Sequence, residues 1–178
     1  MAKRAILIHP DPRLRKTAAA VETIDDGTRA LVEDMFETMY AAPGIGLAAP
    51  QVGVLKRVLV MDFSAKEDPP EPLALINPEV IWVSEEVATG QEGCLSIPEQ
   101  YDDVTRPASV RVRYVSPDGN SEERTFEALG ATCVQHEIDH LNGKLYIDYL
   151  GPVKRSMITS KMKKLKRERA KERAEAKS

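Results

Sequence analysis

The sequence predicts an α+β fold, with antiparallel β-sheets packed around one central buried helix and a second helix closing the chain. Three observations lead there. Strand-length runs at Arg57 to Phe63, Leu73 to Ile76 and Glu79 to Val83 succeed one another without the regular helix alternation of a doubly wound parallel sheet. Ser109 to Val115 alternates Val110, Val112 and Tyr114 with Arg111 and Arg113, so one face of that strand is wet, as antiparallel sheets allow. A helical stretch over about Gly130 to Leu141 carries two histidines in mostly apolar surroundings, which predicts burial.

Taken in order, the elements begin after the loop His9-Pro10-Asp11-Pro12. Leu31, Met35 and Met39 recur at four-residue spacing with Val32 and Phe36 beside them, an apolar stripe that predicts a helix from about Thr28 to Ala41. Pro43-Gly44 stops it. Val58, Leu59, Val60 and Met61 form an unbroken apolar run and predict a buried strand. Ser116-Pro117-Asp118-Gly119-Asn120 turns the chain, and Arg124 to Ala128 is placed to return as a hairpin partner. The histidine-bearing helix should end near Asn142-Gly143 in a left-handed cap. From Lys154 onward there is neither Gly nor Pro, and the segment reads as a long polar helix with a thin stripe of Met157, Ile158, Met162 and Leu165. The expected organisation is a catalytic domain over residues 1–150 and a basic extension over 151–178. No internal repeat is visible.

Bulk properties narrow the classes. A chain of 178 residues can bury a core large enough to hold a desolvated site. It has no apolar run of about 18 residues and no leader-like segment, so a soluble cytoplasmic protein without membrane association is expected. Cys94 and Cys133 are then expected to be thiols or metal ligands and not a disulfide. The net charge of −3 conceals an asymmetry: residues 154–178 hold 11 Lys/Arg against 3 Asp/Glu, whereas residues 1–153 hold 14 against 25. An acidic body with a basic tail bears on partners, not on fold.

The most informative residues are His136-Glu137-Ile138-Asp139-His140. Histidines four apart lie one turn apart on the same helical face, where both rings can reach one metal ion. Glu137 is placed to handle the proton of a metal-bound water. The third protein ligand is open among Cys94, Cys133, His9 and an acidic residue downstream. Cys133 and His140 are seven residues apart, roughly 10 Å along a helix axis, too far for one ion with bonds of about 2.0–2.3 Å to bind them together with His136. Cys133 is better placed as a wall near the metal. Cys94, in Gln91-Glu92-Gly93-Cys94-Leu95-Ser96, lies beside a glycine that permits tight backbone geometry. His9, among prolines, reads as a loop histidine.

Gly44-Ile45-Gly46-Leu47-Ala48-Ala49-Pro50-Gln51 satisfies the dinucleotide pattern G-x-G-x-x-A only superficially. That fingerprint needs a strand before it and a helix after it; here a helix precedes, and Pro50 and Gly53 interrupt any helix on the other side. The segment reads instead as a glycine-rich loop lining a cleft, with Gln51 offering an amide donor.

These three stretches resemble, in order, the three signature motifs of the peptide deformylases, in the stretches Gly44 to Gln51, Glu92 to Ser96 and Gln135 to Leu141. The resemblance runs from about Ile6 to Leu150 and includes His9-Pro10-Asp11-Pro12 and Gly143-Lys144-Leu145-Tyr146-Ile147-Asp148-Tyr149. One departure is Tyr101, where some bacterial members carry an arginine. The resemblance implies hydrolysis of the N-formyl group of formyl-methionine on nascent polypeptides, with release of formate. It implies Cys94, His136 and His140 as ligands of one divalent ion, Glu137 as general base and acid, and the Gln51 side chain and Leu95 N–H as oxyanion donors. Gly44, Ile45, Gly46, Glu92, Gly93, Leu129 and Cys133 are expected around the substrate, with Ile45, Leu129 and Cys133 as candidate walls for the methionine side chain. The family implies Fe²⁺, while a Cys-His-His set also suits Zn²⁺, Ni²⁺ or Co²⁺. Asp139 is expected to support the site or the neighbouring backbone.

Bacterial members also carry a C-terminal helix that docks on the ribosome, which makes Lys154 to Ser178 a candidate ribosome contact through counterion release. A monomer is the default expectation. The same residues admit two rival readings. A zincin-type peptidase would recruit Glu168 as third ligand, and a structural-metal RNA-binding protein would use the tail as its working surface.

Overall fold

The computed structural model describes residues 2–177. It contains α1 (Asp26–Ala41), α2 (Ala128–Leu141) and α3 (Pro152–Ala176), with strands β1 (Gly46–Ala48), β2 (Val58–Met61), β3 (Leu73–Val83), β4 (Val87–Cys94), β5 (Ile97–Pro107), β6 (Ser109–Val115) and β7 (Ser121–Glu127). Short 3₁₀ turns cover Pro12–Arg15, Ala49–Val52 and Tyr146–Tyr149. Five strands form an antiparallel sheet in the order β1-β2-β3-β6-β7, and β4 and β5 form a separate hairpin. The α+β architecture expected from the sequence is the one observed.

The unbroken apolar run of β2 has a direct cause. Successive side chains of a strand point to opposite faces. Val58 and Val60 join Leu31, Val32, Met35 and Met39 of α1, while Leu59 and Met61 join Ala131, Val134, Ile138 and Leu141 of α2. The sheet is therefore covered on both faces, and a strand in its middle can spare no polar position. Phe126 of β7 and Val110 and Val112 of β6 complete the core under α2.

A third cluster joins Leu14, Ile97, Val104, Tyr146 and Ile147 to Ile158 and Met162 of α3, with Cys94 packed at its margin. Of the four residues in the apolar stripe of α3, Met157 does not pack on the body: it is exposed. Its neighbour Ile158 takes the buried position. Ser178, the last residue of the expected basic helix, lies outside the described residues. Among the described residues, no helix is long and apolar enough to cross a membrane.

Several boundaries differ from the sequence reading for identifiable reasons. The first helix begins at Asp26 because the Asp25 carboxylate caps it, accepting from Thr28 N at 2.9 Å. The two strands expected over 73–83 are one, kinked where Asn77 adopts φ 52 and its side chain bonds Val21 N and Val21 O. The return strand starts at Ser121 and not Arg124, paired from Val115↔Ser121 to Ser109↔Glu127. The central helix starts two residues earlier than expected, directly after β7. Hairpin β4–β5 has no counterpart in the sequence reading: Val87 to Cys94 shows no apolar alternation, and its first five residues are exposed. His9 is no ordinary loop residue. It is buried, with Nε2 2.9 Å from the Thr159 hydroxyl of α3.

The cap after α2 sets up one stability prediction. Gly143 has φ +73, and a Cβ there would lie 2.5 Å from the Arg15 carbonyl oxygen. Gly143→Ala combines left-handed strain with a backbone collision, so chemical denaturation should show a loss of about 2–4 kcal/mol. A second concerns His9. Burial, aided by Arg15, Lys166 and Lys163 and opposed by Asp148, lowers its pKa from 6.5 to about 4. Between those values the unfolded chain takes up a proton that the folded chain refuses. Stability therefore falls as pH drops through this window, by at most about 1.4 kcal/mol per unit. Denaturant midpoints should show the wild-type advantage over His9→Gln shrinking from pH 6.5 to 4; a constant gap would contradict it.

Candidate metal centre

A cavity of about 400 Å³ opens between β1, the β4–β5 hairpin and α2. Close packing around it explains its glycines. A Cβ on Gly46 would lie 2.9 Å from Cys133 Sγ and 3.0 Å from the Glu137 side chain, and one on Gly44 would lie 2.7 Å from Leu95 Cδ1. Gly93 lies under the Tyr101 ring, 2.6 Å from where its Cβ would stand. Backbone thus approaches where side chains would fill the space.

Three potential ligand groups converge at its inner end. The donor atoms of Cys94, His136 and His140 all lie within 4.8 Å of one another. His136 and His140 come from adjacent turns of α2, and Cys94 Sγ lies 3.3 Å from His140 Nε2. Cys94 is aimed there by a register shift between Gly93 and Cys94, a bulge that takes the thiol out of the regular pleat. Cys133 packs one turn away, 3.6 Å from the Ile45 carbonyl; burial and then Glu137 and Glu92 push its thiol pKa up, which disfavours a thiolate there. Both cysteines are free.

The donor set fits a cation. Burial by itself disfavours charge on His136, but its contacts with Cys94 and Glu92 and the nearby Glu137 outweigh that and raise its pKa. Such a cluster of thiol and carboxylates favours positive charge at this point. His140 is held well below its usual value by burial and by His136 and Arg106, which keeps it neutral and able to donate a lone pair. The Nδ1 of His140 and the Oε2 of Glu137 are buried without a hydrogen-bond partner among the described residues. Burial raises the Glu137 pKa to about 7.

Around this centre lies a hydrogen-bonded shell. Glu92 Oε1 accepts from His136 Nδ1 at 3.0 Å, leaving Nε2 as the available donor on that ring. Arg106 donates to Glu92 at 2.6 and 2.9 Å and to Asp139 at 2.8 Å, and the Tyr149 hydroxyl donates to the same Asp139 oxygen at 2.8 Å. Gln51 is buried behind Cys94. Its carbonyl oxygen accepts from Ala48 N, while its amide donates to Ser96 Oγ at 3.1 Å and lies 3.5 Å from Cys94 Sγ.

Of the residues expected around a substrate, Gly44, Ile45, Gly46, Glu92, Gly93, Leu129 and Cys133 all border the cavity, as do Cys94, Leu95, His136 and Glu137. Ile45 and Leu129 are exposed there and are not core residues. Both carboxylate oxygens of Glu92 are occupied by Arg106 and His136. Glu168 lies on the exposed part of α3. Arg106, Tyr149 and Ser96 were missed as parts of the site. Only the hairpin register, which the sequence does not announce, brings Arg106 opposite the Glu92 strand.

The chain matches the polypeptide deformylase family over residues 3–156. It is 55% identical to the peptide deformylase of Azotobacter vinelandii, covering 94% of this chain and 99% of that one. Its identity to the Pseudomonas aeruginosa peptide deformylase is 54%, over 96% and 100%. The crystal structure of peptide deformylase from Ehrlichia chaffeensis superposes with a TM-score of 0.91 at 40% identity, covering 95% of this chain and 99% of that one. Sequence motifs, fold and the Cys-His-His centre thus agree, and the chain belongs to the polypeptide deformylase family.

Proposed function

We propose that this protein hydrolyses the N-formyl group of formyl-methionine at the N-terminus of nascent polypeptides, releasing formate and a free amine. The observation that carries this reading is Glu137. It is a buried carboxylate with one unpartnered oxygen, on the cavity wall beside the Cys94-His136-His140 cluster. Cys94, His136 and His140 are the proposed ligands of one divalent ion. Family resemblance points to Fe²⁺, and the same donors accept Zn²⁺, Ni²⁺ or Co²⁺. When bound, the ion acts as a Lewis acid toward the formyl carbonyl and makes water more acidic.

The remaining chemistry falls to the chain itself. Glu137 accepts a proton as water adds to the formyl carbon, and returns it to the nitrogen as the C–N bond breaks, because an amine departs poorly as an anion. The Leu95 N–H and the Gln51 amide are the proposed donors to the developing oxyanion, each contributing about 2–4 kcal/mol in such a role. Support for Gln51 is its second amide hydrogen, turned toward Cys94 Sγ. Glu92 orients His136 through Nδ1. Gly44, Gly46 and Gly93 keep the cleft open to the peptide, and Ile45, Leu129 and Cys133 wall the pocket for the methionine side chain. Formyl is the smallest acyl group, and the close approach of Gly46 to Glu137 suits a site that excludes larger ones.

We assign catalysis to residues 1–150 and treat 151–178 as a basic extension that contacts the ribosome, with the enzyme acting as a cytoplasmic monomer. The charge surplus of residues 154–178 and their exposure beyond Lys166 support a polyanionic partner.

Formate release from a formyl-Met tripeptide tests the activity. Glu137→Gln should retain bound metal by elemental analysis yet lose turnover by at least about 10²–10⁴-fold. Full activity in that variant would overturn the reading. Cys94→Ala should instead lose the metal; stoichiometric retention would remove Cys94 from the ligand set.

A further inference from the structure

Beside the active site lies a second cavity, of about 520 Å³, between the N-terminal segment, the end of α1 and α3. Its floor is aliphatic, with Ile6, Ile8 and Leu95, and its rim is cationic, with Lys3 and Arg169. Leu95 and Pro98 border both cavities, so the two are neighbours across one side chain of the deformylase motif. Arg4 also borders the second cavity but is neutralised by Asp34 at 2.9 Å. Lys3 and Arg169 have no ion-pair partner among the described residues.

The topology connects this cavity to the substrate path. Among the described residues β1 is the end strand of its sheet, with β2 on one side and no strand on the other. Gly46, the first residue of β1, borders the first cavity together with Gly44 and Ile45 of the segment that leads into it. An extended peptide can add to such an edge. With its formyl end held near Gly46 and Glu137, a peptide lying antiparallel to β1 runs back past Gly44 toward Ala42, which borders the second cavity. Ala42 caps α1 four residues before β1 begins, and four residues span at most about 14 Å, so an extended peptide draws level with Ala42 by about its fifth residue.

We propose that this second cavity is a distal subsite that receives nascent-chain residues at about positions four to six and favours acidic side chains there. The inference rests on the deformylase reading and deepens it. Aliphatic stems of the incoming residues rest on Ile6, Ile8 and Leu95, and their carboxylates meet Lys3 and Arg169. The discrimination is electrostatic and exposed, so it is modest and sensitive to salt.

The test compares kcat/KM for a formyl-Met tripeptide with two formyl-Met heptapeptides carrying Glu or Lys at positions four to six. Wild-type protein and the double variant Lys3→Glu/Arg169→Glu are assayed at low and at high salt. Wild type should favour the Glu peptide by about three- to tenfold at low salt, and the preference should shrink at high salt. The double variant should invert it while cleaving the tripeptide as fast as wild type. Equal rates on both heptapeptides, or a preference that the double variant leaves unchanged, would overturn the subsite while leaving the deformylase reading intact. Failure to cleave the tripeptide would remove the deformylase reading and the subsite with it.

Discussion

The structure turns on the buried ion pair between Glu92 and Arg106. Glu92 stands on β4, Arg106 on β5, and the groups they hold, His136 and Asp139, stand on α2. Removing two charges from water costs several kcal/mol per ion unless the geometry is good and every remaining donor and acceptor is used. Here the pairing is two-pronged, the spare lone pair of Glu92 is taken by His136, and the third arm of Arg106 reaches Asp139. The Tyr149 ring covers the guanidinium at 4.8 Å. Losing either partner would strand a charge in a dry interior. The same bonds tie the hairpin that carries Cys94 to the helix that carries His136 and His140, so the three proposed ligand groups converge because this pair is satisfied.

Around that frame the site works by contrast. The carboxylate that positions is fully engaged, and the one assigned to proton transfer is left with a free oxygen. Glu92 and Glu137 are both buried, yet Arg106 and His136 hold the pKa of Glu92 down against burial while burial drives that of Glu137 up. Two identical side chains a few ångströms from the same histidine ring thereby acquire different environments, because only Glu92 is hydrogen-bonded to Arg106 and to that ring.

Most of this was legible in the sequence where the signal is local. The spacing of His136 and His140, the apolar stripe of α1, the alternation in β6 and the left-handed cap at Gly143 are each written within a dozen residues. The Gly44–Gln51 and Glu92–Ser96 stretches were legible as motifs but not as geometry. The β4–β5 hairpin was not legible, because its residues are exposed and polar and its register comes from cross-strand pairing. Arg106 was lost with it, since one arginine before a proline looks like any other until the hairpin brings its side chain within reach of an acid on the neighbouring strand. Likewise Asn77, which reads as a break between two strands, is a kink inside one, held by two bonds to Val21 that lie 56 residues apart in sequence.

The third hydrophobic cluster has a consequence for the order in which the molecule is made. Ile158 and Met162 of α3 pack into the same group of side chains as Ile97 and the margin of Cys94. Ile158 and Met162 follow β1 to β7 in sequence, so the wall behind the thiol closes only once α3 has been made. Until α3 arrives, the three proposed ligand side chains share a shell that still has a missing side.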